Sequence, residues 1–249
     1  MTPASVAALA ALCLITLRAE AGEVRVAVAA NFAAPMKEIA AQFQADTGHT
    51  VQASFGSTGK FYAQIRNGAP YDVFLSADDE TPRRLASEGF ADRATAFTYA
   101  QGKLVLWSRN PGTVDARGAV LKGSFGKLAI ANPKLAPYGL AAQETLRKLG
   151  LWEAEQGRLV MGENIGQTMQ FVDTGAADLG FVAMSQTLKD GKPAGGSSWV
   201  VPQSLYAPIR QDAIVLAKPQ DRAAADAFVA YLKGAKARGV IQSYGYALP

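Results

Sequence analysis

From Val24 onward the chain alternates between two hydrophobic periods, and this alternation limits its fold more than any other feature. Val24 to Ala29 is a short apolar run that reads as a strand, after which Met36, Ile39, Ala40 and Phe43 recur at i, i+3, i+4 and i+7, the spacing of one helix face. Gly48 stops that helix, and Val51 to Phe55 resumes as a strand. Ser57-Thr58-Gly59 opens a second helix through Ile65, Asn67-Gly68 turns the chain, and Val73 to Leu75 supplies a third buried strand. Further strands are expected at Leu104 to Trp107, Leu128 to Ala131, Leu159 to Met161, Leu179 to Ala183 and Ala213 to Ala217. Helices are expected at Leu140 to Leu149, Thr168 to Thr174 and Ala223 to Leu232, and the Gly-, Ser- and Pro-rich stretch Gly191 to Ser198 reads as a surface loop. This alternation predicts an α/β protein with largely parallel sheets.

The N-terminal segment departs from the pattern. Ala4 to Leu17 is apolar except for Ser5 and Thr16, and Ala19-Glu20-Ala21 places small residues at both positions a signal peptidase reads. Residues 1–21 are therefore expected to be a cleaved signal peptide, although Met1 to Ser5 lacks the usual cation and Arg18 lies after the apolar run. The run is shorter than the roughly 20 residues a bilayer span needs. Cys13, the only cysteine, falls inside it, so the mature chain holds neither a disulfide nor a thiolate nucleophile. Leu12, directly before it, does not suit a lipid-modified cysteine. Lys and Arg number 25 against 21 Asp and Glu, a net charge of +4 that loss of Arg18 and Glu20 leaves unchanged. The basic residues are scattered and form no nucleic-acid stripe. With 49% hydrophobic residues, the chain can bury one large core or two smaller ones.

Catalytic and metal motifs are absent from the sequence. It carries no HExxH, paired CxxC or GxSxG, and its single histidine, His49, follows Gly48 in a turn. Gly56-Ser57-Thr58-Gly59-Lys60 superficially resembles a phosphate loop, but Ser54 stands where the first glycine belongs and Phe61 where Ser or Thr belongs. What remains is a strand-to-helix junction with small or polar residues, repeated four times: Ala30-Asn31, Ser57-Thr58, Pro137-Tyr138 and Asn164-Ile165-Gly166. A helix start exposes unpaired N–H groups and the positive end of a dipole, so such junctions can hold an anion without a charged side chain. Asn31, Ser57 and Thr58 could equally be ordinary N-caps. In open α/β sheets, however, ligands bind beyond the carboxyl ends of strands, where these turns lie.

At these same residues the sequence closely resembles the molybdate-binding proteins of ABC transporters. The likeness runs through Val28-Ala29-Ala30-Asn31-Phe32, Gly56-Ser57-Thr58-Gly59, Asn67-Gly68-Ala69-Pro70-Tyr71-Asp72-Val73-Phe74 and Ser76-Ala77-Asp78. It continues in Gly102-Lys103-Leu104-Val105-Leu106-Trp107, Asn132-Pro133, Ala136-Pro137-Tyr138-Gly139-Leu140-Ala141, Gly175 to Ala183 and Gly245-Tyr246, in order along nearly the whole mature chain. The resemblance implies a type II periplasmic-binding-protein fold: two α/β lobes joined by a two-crossover hinge, residues 22–102 plus 202–249 in one and 103–201 in the other, with the oxyanion in the cleft. Carried over by position, Asn31 and Thr58 match polar or hydroxyl contacts, with Ser57 beside the second, while Tyr138 and Ile165 match positions that give a backbone N–H. Two residues depart from relatives: Ala30 replaces a Thr whose hydroxyl could assist, and Ala183 replaces a Tyr whose phenol reaches the ligand in another branch.

The resemblance further implies a monomeric periplasmic binding protein, not an enzyme. It would need no cofactor, take no nucleic acid, and deliver molybdate or tungstate to the membrane permease of an ABC importer without coordinating the metal directly. Ionised molybdate only accepts hydrogen bonds, so a site made of N–H and O–H donors would accept molybdate, tungstate and sulfate and penalise a protonated phosphate. A sulfate- or phosphate-type oxyanion binder is the alternative within the fold. A secreted hydrolase would need a base for Ser57, and the sequence offers no histidine partner; a transcription-factor effector domain would need an N-terminal helix-turn-helix in place of the signal peptide.

Overall fold

The computed structural model describes residues 21–189 and 191–249, so the segment read as a signal peptide lies outside the described residues except for Ala21. Two five-stranded sheets organise the described residues. One contains β1 (Glu23–Ala29), β2 (Thr50–Gly56), β3 (Val73–Leu75), β4 (Phe97–Gly102) and β12 (Ile209–Val215) in the order β2-β1-β3-β12-β4. The other contains β5 (Leu104–Ser108), β6 (Leu128–Ala131), β7 (Leu159–Gly162), β8 (Leu179–Ala183) and β11 (Ser197–Val200) in the order β11-β5-β8-β6-β7. A small hairpin pairs β9 (Leu188–Lys189) with β10 (Lys192–Pro193).

Each sheet is buried on both faces, which is why its inner strands are apolar runs without polar alternation. Successive residues of β1 point to opposite sides. Val24, Val26 and Val28 join a core with α1 (Ala33–Thr47), α7 (Arg222–Lys233) and α8 (Ala235–Ser243), while Ala27 faces α2 (Thr58–Arg66) and α3 (Glu80–Ser87) through Phe61, Ile65 and Leu85. In the second lobe, Leu128 and Ile130 of β6 cluster with Ala142 and Leu146 of α4 (Pro137–Lys148). Ala129, on the opposite face, clusters with Val172 of α6 (Ile165–Asp173). The four-residue α5 (Trp152–Glu155) follows α4.

The sheets are mixed, which corrects the expectation of largely parallel ones. β1 is parallel to β2 and β3, and β6 to β7 and β8, but β12 runs against β3 and β4, and β5 against β8 and β11. The antiparallel strands are those that carry the chain between lobes. β4 leads into β5 through Lys103 alone, and β11 leads to β12 through residues 201–208; because β12 pairs with β4 and β11 with β5, the two crossovers run side by side. The expected loop at Gly191 to Ser198 is also cut short. β10 and the start of β11 lie within it, and β11 is an edge strand in which only Trp199 is buried.

Candidate functional site

The four junctions expected from sequence meet at one place. Asn31 lies in the turn after β1, Ser57 precedes α2 and Thr58 begins it, Tyr138 is the second residue of α4, and Ile165 is the first of α6. All five line a single cavity between the lobes, and none is more than 3% exposed. The cavity measures about 10 Å³, the scale of one small guest. Ala30 lines it as well. Ala183 is not among its lining residues; it is fully buried at the end of β8.

Local chemistry explains why each helix begins where it does. Pro137 sits at the first position of α4 and has no N–H, which leaves Tyr138 with the first backbone donor of that helix. The start of α4 lies so close to the end of β6 that a Cβ on Gly139 would stand 2.2 Å from the Ala131 carbonyl oxygen. Asn164 caps α6 by accepting from the N–H groups of Gly166 at 2.9 Å and Gln167 at 3.1 Å. The Ile165 N–H stands outside that cap. Gln186 braces the same turn by donating to the Ile165 carbonyl at 3.0 Å.

The two neighbouring hydroxyls differ sharply. Ser57 Oγ is buried with no hydrogen-bond partner, an expensive state for a polar group unless a guest supplies the missing bond. Thr58 Oγ1 is already engaged: it accepts from the Ala77 N–H at 3.1 Å and lies 3.4 Å from Ser76 Oγ. Ser76 Oγ donates its only proton to Asp78 Oδ1 at 3.0 Å, so toward Thr58 it can serve only as an acceptor. Burial raises the Asp78 carboxyl above its usual range, against hydrogen bonds from Thr81 and Ser76. The resemblance points to Thr58 with Ser57 beside it; here the Ser57 hydroxyl is the one without a partner.

Asn31 is committed in a similar way. Its Nδ2 donates to Gln211 Oε1 at 2.8 Å and to the Tyr246 hydroxyl at 2.9 Å, while its carbonyl accepts from Ser185 Oγ and Tyr246, each at 2.8 Å. Its Oδ1 is buried without a partner. No side chain lining the cavity is formally charged. Burial raises the Tyr99 and Tyr138 phenols well above their ordinary value and pushes Tyr246 up to about 12, so these rings stay neutral. Sequence reasoning assigned no role to Gln211, Tyr246, Ser185 or Asn164. Only Asn164 had a local signal, as a cap residue just before a helix.

The lobes touch across the mouth of the cavity. Gly59 N–H of the first lobe donates to the Leu135 carbonyl of the second at 2.9 Å, and Lys60 pairs with Glu163 at 2.6 Å with both side chains about half exposed. Such an exposed ion pair contributes little, about 0–1 kcal/mol. His49 takes no part: its Nδ1 accepts from the Gly22 N–H at 2.8 Å and its ring stacks on Phe43. Among the described residues no group of His, Cys, Asp and Glu is placed to hold a metal ion.

Comparison with known proteins agrees with this architecture. The model of the bacterial extracellular solute-binding protein family matches residues 24–247. The molybdate-binding protein ModA of Azotobacter vinelandii is 61% identical over 236 residues, 94% of each chain. That of Rhodobacter capsulatus is 52% identical over 98% of this chain and 95% of its own. The solved structure of the Azotobacter vinelandii periplasmic molybdate-binding protein superposes with a TM-score of 0.89 at 45% identity, covering 91% of this chain and 99% of that one. With a family model spanning the two lobes and relatives this similar over nearly their full length, the chain belongs to the bacterial extracellular solute-binding proteins, in the group of the molybdate-binding proteins.

Proposed function

We propose that this chain captures molybdate or tungstate in the interlobe cleft and delivers it, chemically unchanged, to the membrane permease of an ABC importer. The observation that carries this reading is the unpartnered buried Ser57 hydroxyl among four helix starts in a cavity without charged side chains. A fully ionised tetrahedral oxyanion offers only acceptors, and this lining offers donors: the Ser57 hydroxyl and backbone N–H groups at Asn31, Thr58, Tyr138 and Ile165. Neutral donors avoid burying a cation that would need its own compensation when the cleft is empty. Lobes 22–102 plus 202–249 and 103–201 would close on the anion by hinge motion at the paired crossovers. The closed outer surface would then distinguish the loaded protein for its permease. Removal of residues 1–21 would release a monomer into the periplasm. Among the described residues no helix is long and apolar enough to cross a membrane.

Two variants test the donor assignment. Ser57→Ala is expected to weaken molybdate binding about tenfold or more, from the 1.5–3 kcal/mol typical of a hydrogen bond to a charged group. Thr58→Val keeps the backbone N–H, and its loss falls on the contact with Ala77, so it should lower the melting temperature more than the affinity. Calorimetric titration separates the two, and parental affinity in Ser57→Ala would take the Ser57 hydroxyl out of the site.

Ile165 has an apolar side chain, so any role toward an anion lies in its N–H. Ile165→Ala should bind nearly as the parent does. Ile165→Pro removes the donor at a position where proline is tolerated, since the first N–H of a helix has no intrahelical partner. Once circular dichroism shows the proline variant folded, a loss of about tenfold is expected. Parental affinity there would take Ile165 out of the site.

A further inference from the structure

Gln211 is fully buried in β12, at the point where its pairing with β4 slips register between Gln211 and Asp212. Its side-chain amide reaches both lobes. Oε1 accepts from Asn31 Nδ2 at 2.8 Å and from the Tyr99 hydroxyl at 3.0 Å, while Nε2 donates to the Tyr138 hydroxyl at 3.1 Å. Asn31 belongs to the β1–α1 junction of one lobe and Tyr138 to the start of α4 in the other. Gly102, at the first crossover, leaves the space for this bridge: a Cβ there would stand 2.0 Å from the Tyr138 hydroxyl and 2.6 Å from Gln211 Nε2. Beyond Asp212 the strand continues as Ala213, Ile214 and Val215, which are buried and apolar. A buried amide is costly in such surroundings unless hydrogen-bonded, so its presence calls for a role that packing does not supply.

We propose that Gln211 is a positioning residue of the anion site, a neutral tie that accepts from Asn31 in one lobe and donates to Tyr138 in the other and so sets the spacing of the donors the two lobes present. This rests on the reading of the cleft as an oxyanion site. The amide touches no guest itself. It acts through two residues that line the cavity and whose backbone N–H groups are the donors proposed above, and donors to a small rigid anion must be held to within about 0.5 Å to be effective. The phenols it contacts stay protonated, so the tie involves no change of charge.

A double-mutant cycle in molybdate affinity tests the proposal. Gln211→Met keeps the length and removes the hydrogen bonds, and Tyr138→Phe removes only the hydroxyl while keeping the backbone N–H. Each single variant is expected to bind about fivefold weaker than the parent. The double variant should be no more than about twofold weaker than the poorer single, because Gln211→Met, which removes the bonds to Asn31, Tyr99 and Tyr138, already breaks the one that Tyr138→Phe removes. A purely structural role would lower the melting temperature of the empty protein and leave the affinity of the folded protein intact. Parental affinity in both singles, or losses that multiply in the double variant, would overturn the proposal. Should Gln211→Met fail to fold, Tyr138→Phe decides alone: a fivefold loss supports the tie and parental affinity overturns it. A parent chain that binds none of molybdate, tungstate, sulfate and phosphate would overturn the reading of the cleft and this inference with it, whereas parental binding with multiplied losses overturns this inference alone.

Discussion

Gly139→Ala is expected to weaken molybdate binding about a hundredfold, the equivalent of roughly 2.7 kcal/mol. The added Cβ would meet three backbone atoms at the end of β6, at 2.2 Å from the Ala131 oxygen, 2.7 Å from the Ala131 carbon and 2.9 Å from the Asn132 carbon. None of these is the flexible end of a side chain, so the start of α4 must retreat from β6 by about 1 Å, the kind of rearrangement that overpacking forces. The Tyr138 N–H moves with it, and the Tyr138 hydroxyl moves away from Gln211. One charge-assisted bond is lost outright and the closure of the two lobes is offset. A titration with molybdate beside a melt of the empty protein reads both effects. Parental affinity in the folded variant would mean that α4 does not supply a donor.

Asp72→Ala is expected to cost about 3–5 kcal/mol of folding stability and leave the affinity of the folded protein unchanged. Asp72 is fully buried at the end of the first sheet farthest from the cleft. Its carboxylate accepts from the Arg25 N–H at 2.7 Å, the Arg25 guanidinium at 3.2 and 3.1 Å, and the Gln220 N–H at 2.6 Å. Burial pushes its carboxyl up, but the hydrogen bonds from Arg25 and Gln220 outweigh it and hold the group below the usual carboxylate range. A carboxyl depressed in the folded state contributes its full stability above the unfolded value, near 4, and loses it as pH falls through the folded value. The stability gap between parent and variant should therefore be largest near neutral pH and shrink on acidification below about pH 4. Chemical denaturation at several pH values measures it, and a gap that grows in acid would contradict the role given to Asp72.

How far the sequence could be read depends on how local the decisive interactions are. The strands from Val24 and Leu128 were legible because parallel strands buried on both faces are continuous apolar runs. Of β12 only the second half, Ala213 to Val215, was legible, because Arg210-Gln211-Asp212 hides the first; Gln211 is buried only because Asn31, Tyr99 and Tyr138 satisfy it. The first two residues of β11 read as loop because its edge position lets Ser197 and Ser198 stand where a central strand would carry apolar side chains. α8 was missed because it resumes directly after Gly234, a residue that reads as a stop.

The same distinction runs through the site. Its four junctions were visible because caps and first-turn prolines are short-range chemistry. Which hydroxyl is free was not, since Thr58 is held by Ser76 and Ala77, 18 and 19 residues away. Nor was the commitment of the Asn31 amide to Gln211 and Tyr246, which lie 180 and 215 residues along the chain. Local signals located the cleft, and long-range hydrogen bonds decide which of its groups remain available to an anion.

The most direct test of capture by neutral donors is calorimetric titration of a chain beginning at Gly22 with molybdate, tungstate, sulfate and phosphate at neutral pH. Molybdate and tungstate should each bind at one site per chain. Sulfate, which brings the same charge in a smaller shell, should bind more weakly, and phosphate weakest of the four, because no carboxylate lines the cavity to take its proton. Phosphate binding as tightly as molybdate, or no binding of molybdate and tungstate at all, would contradict the account.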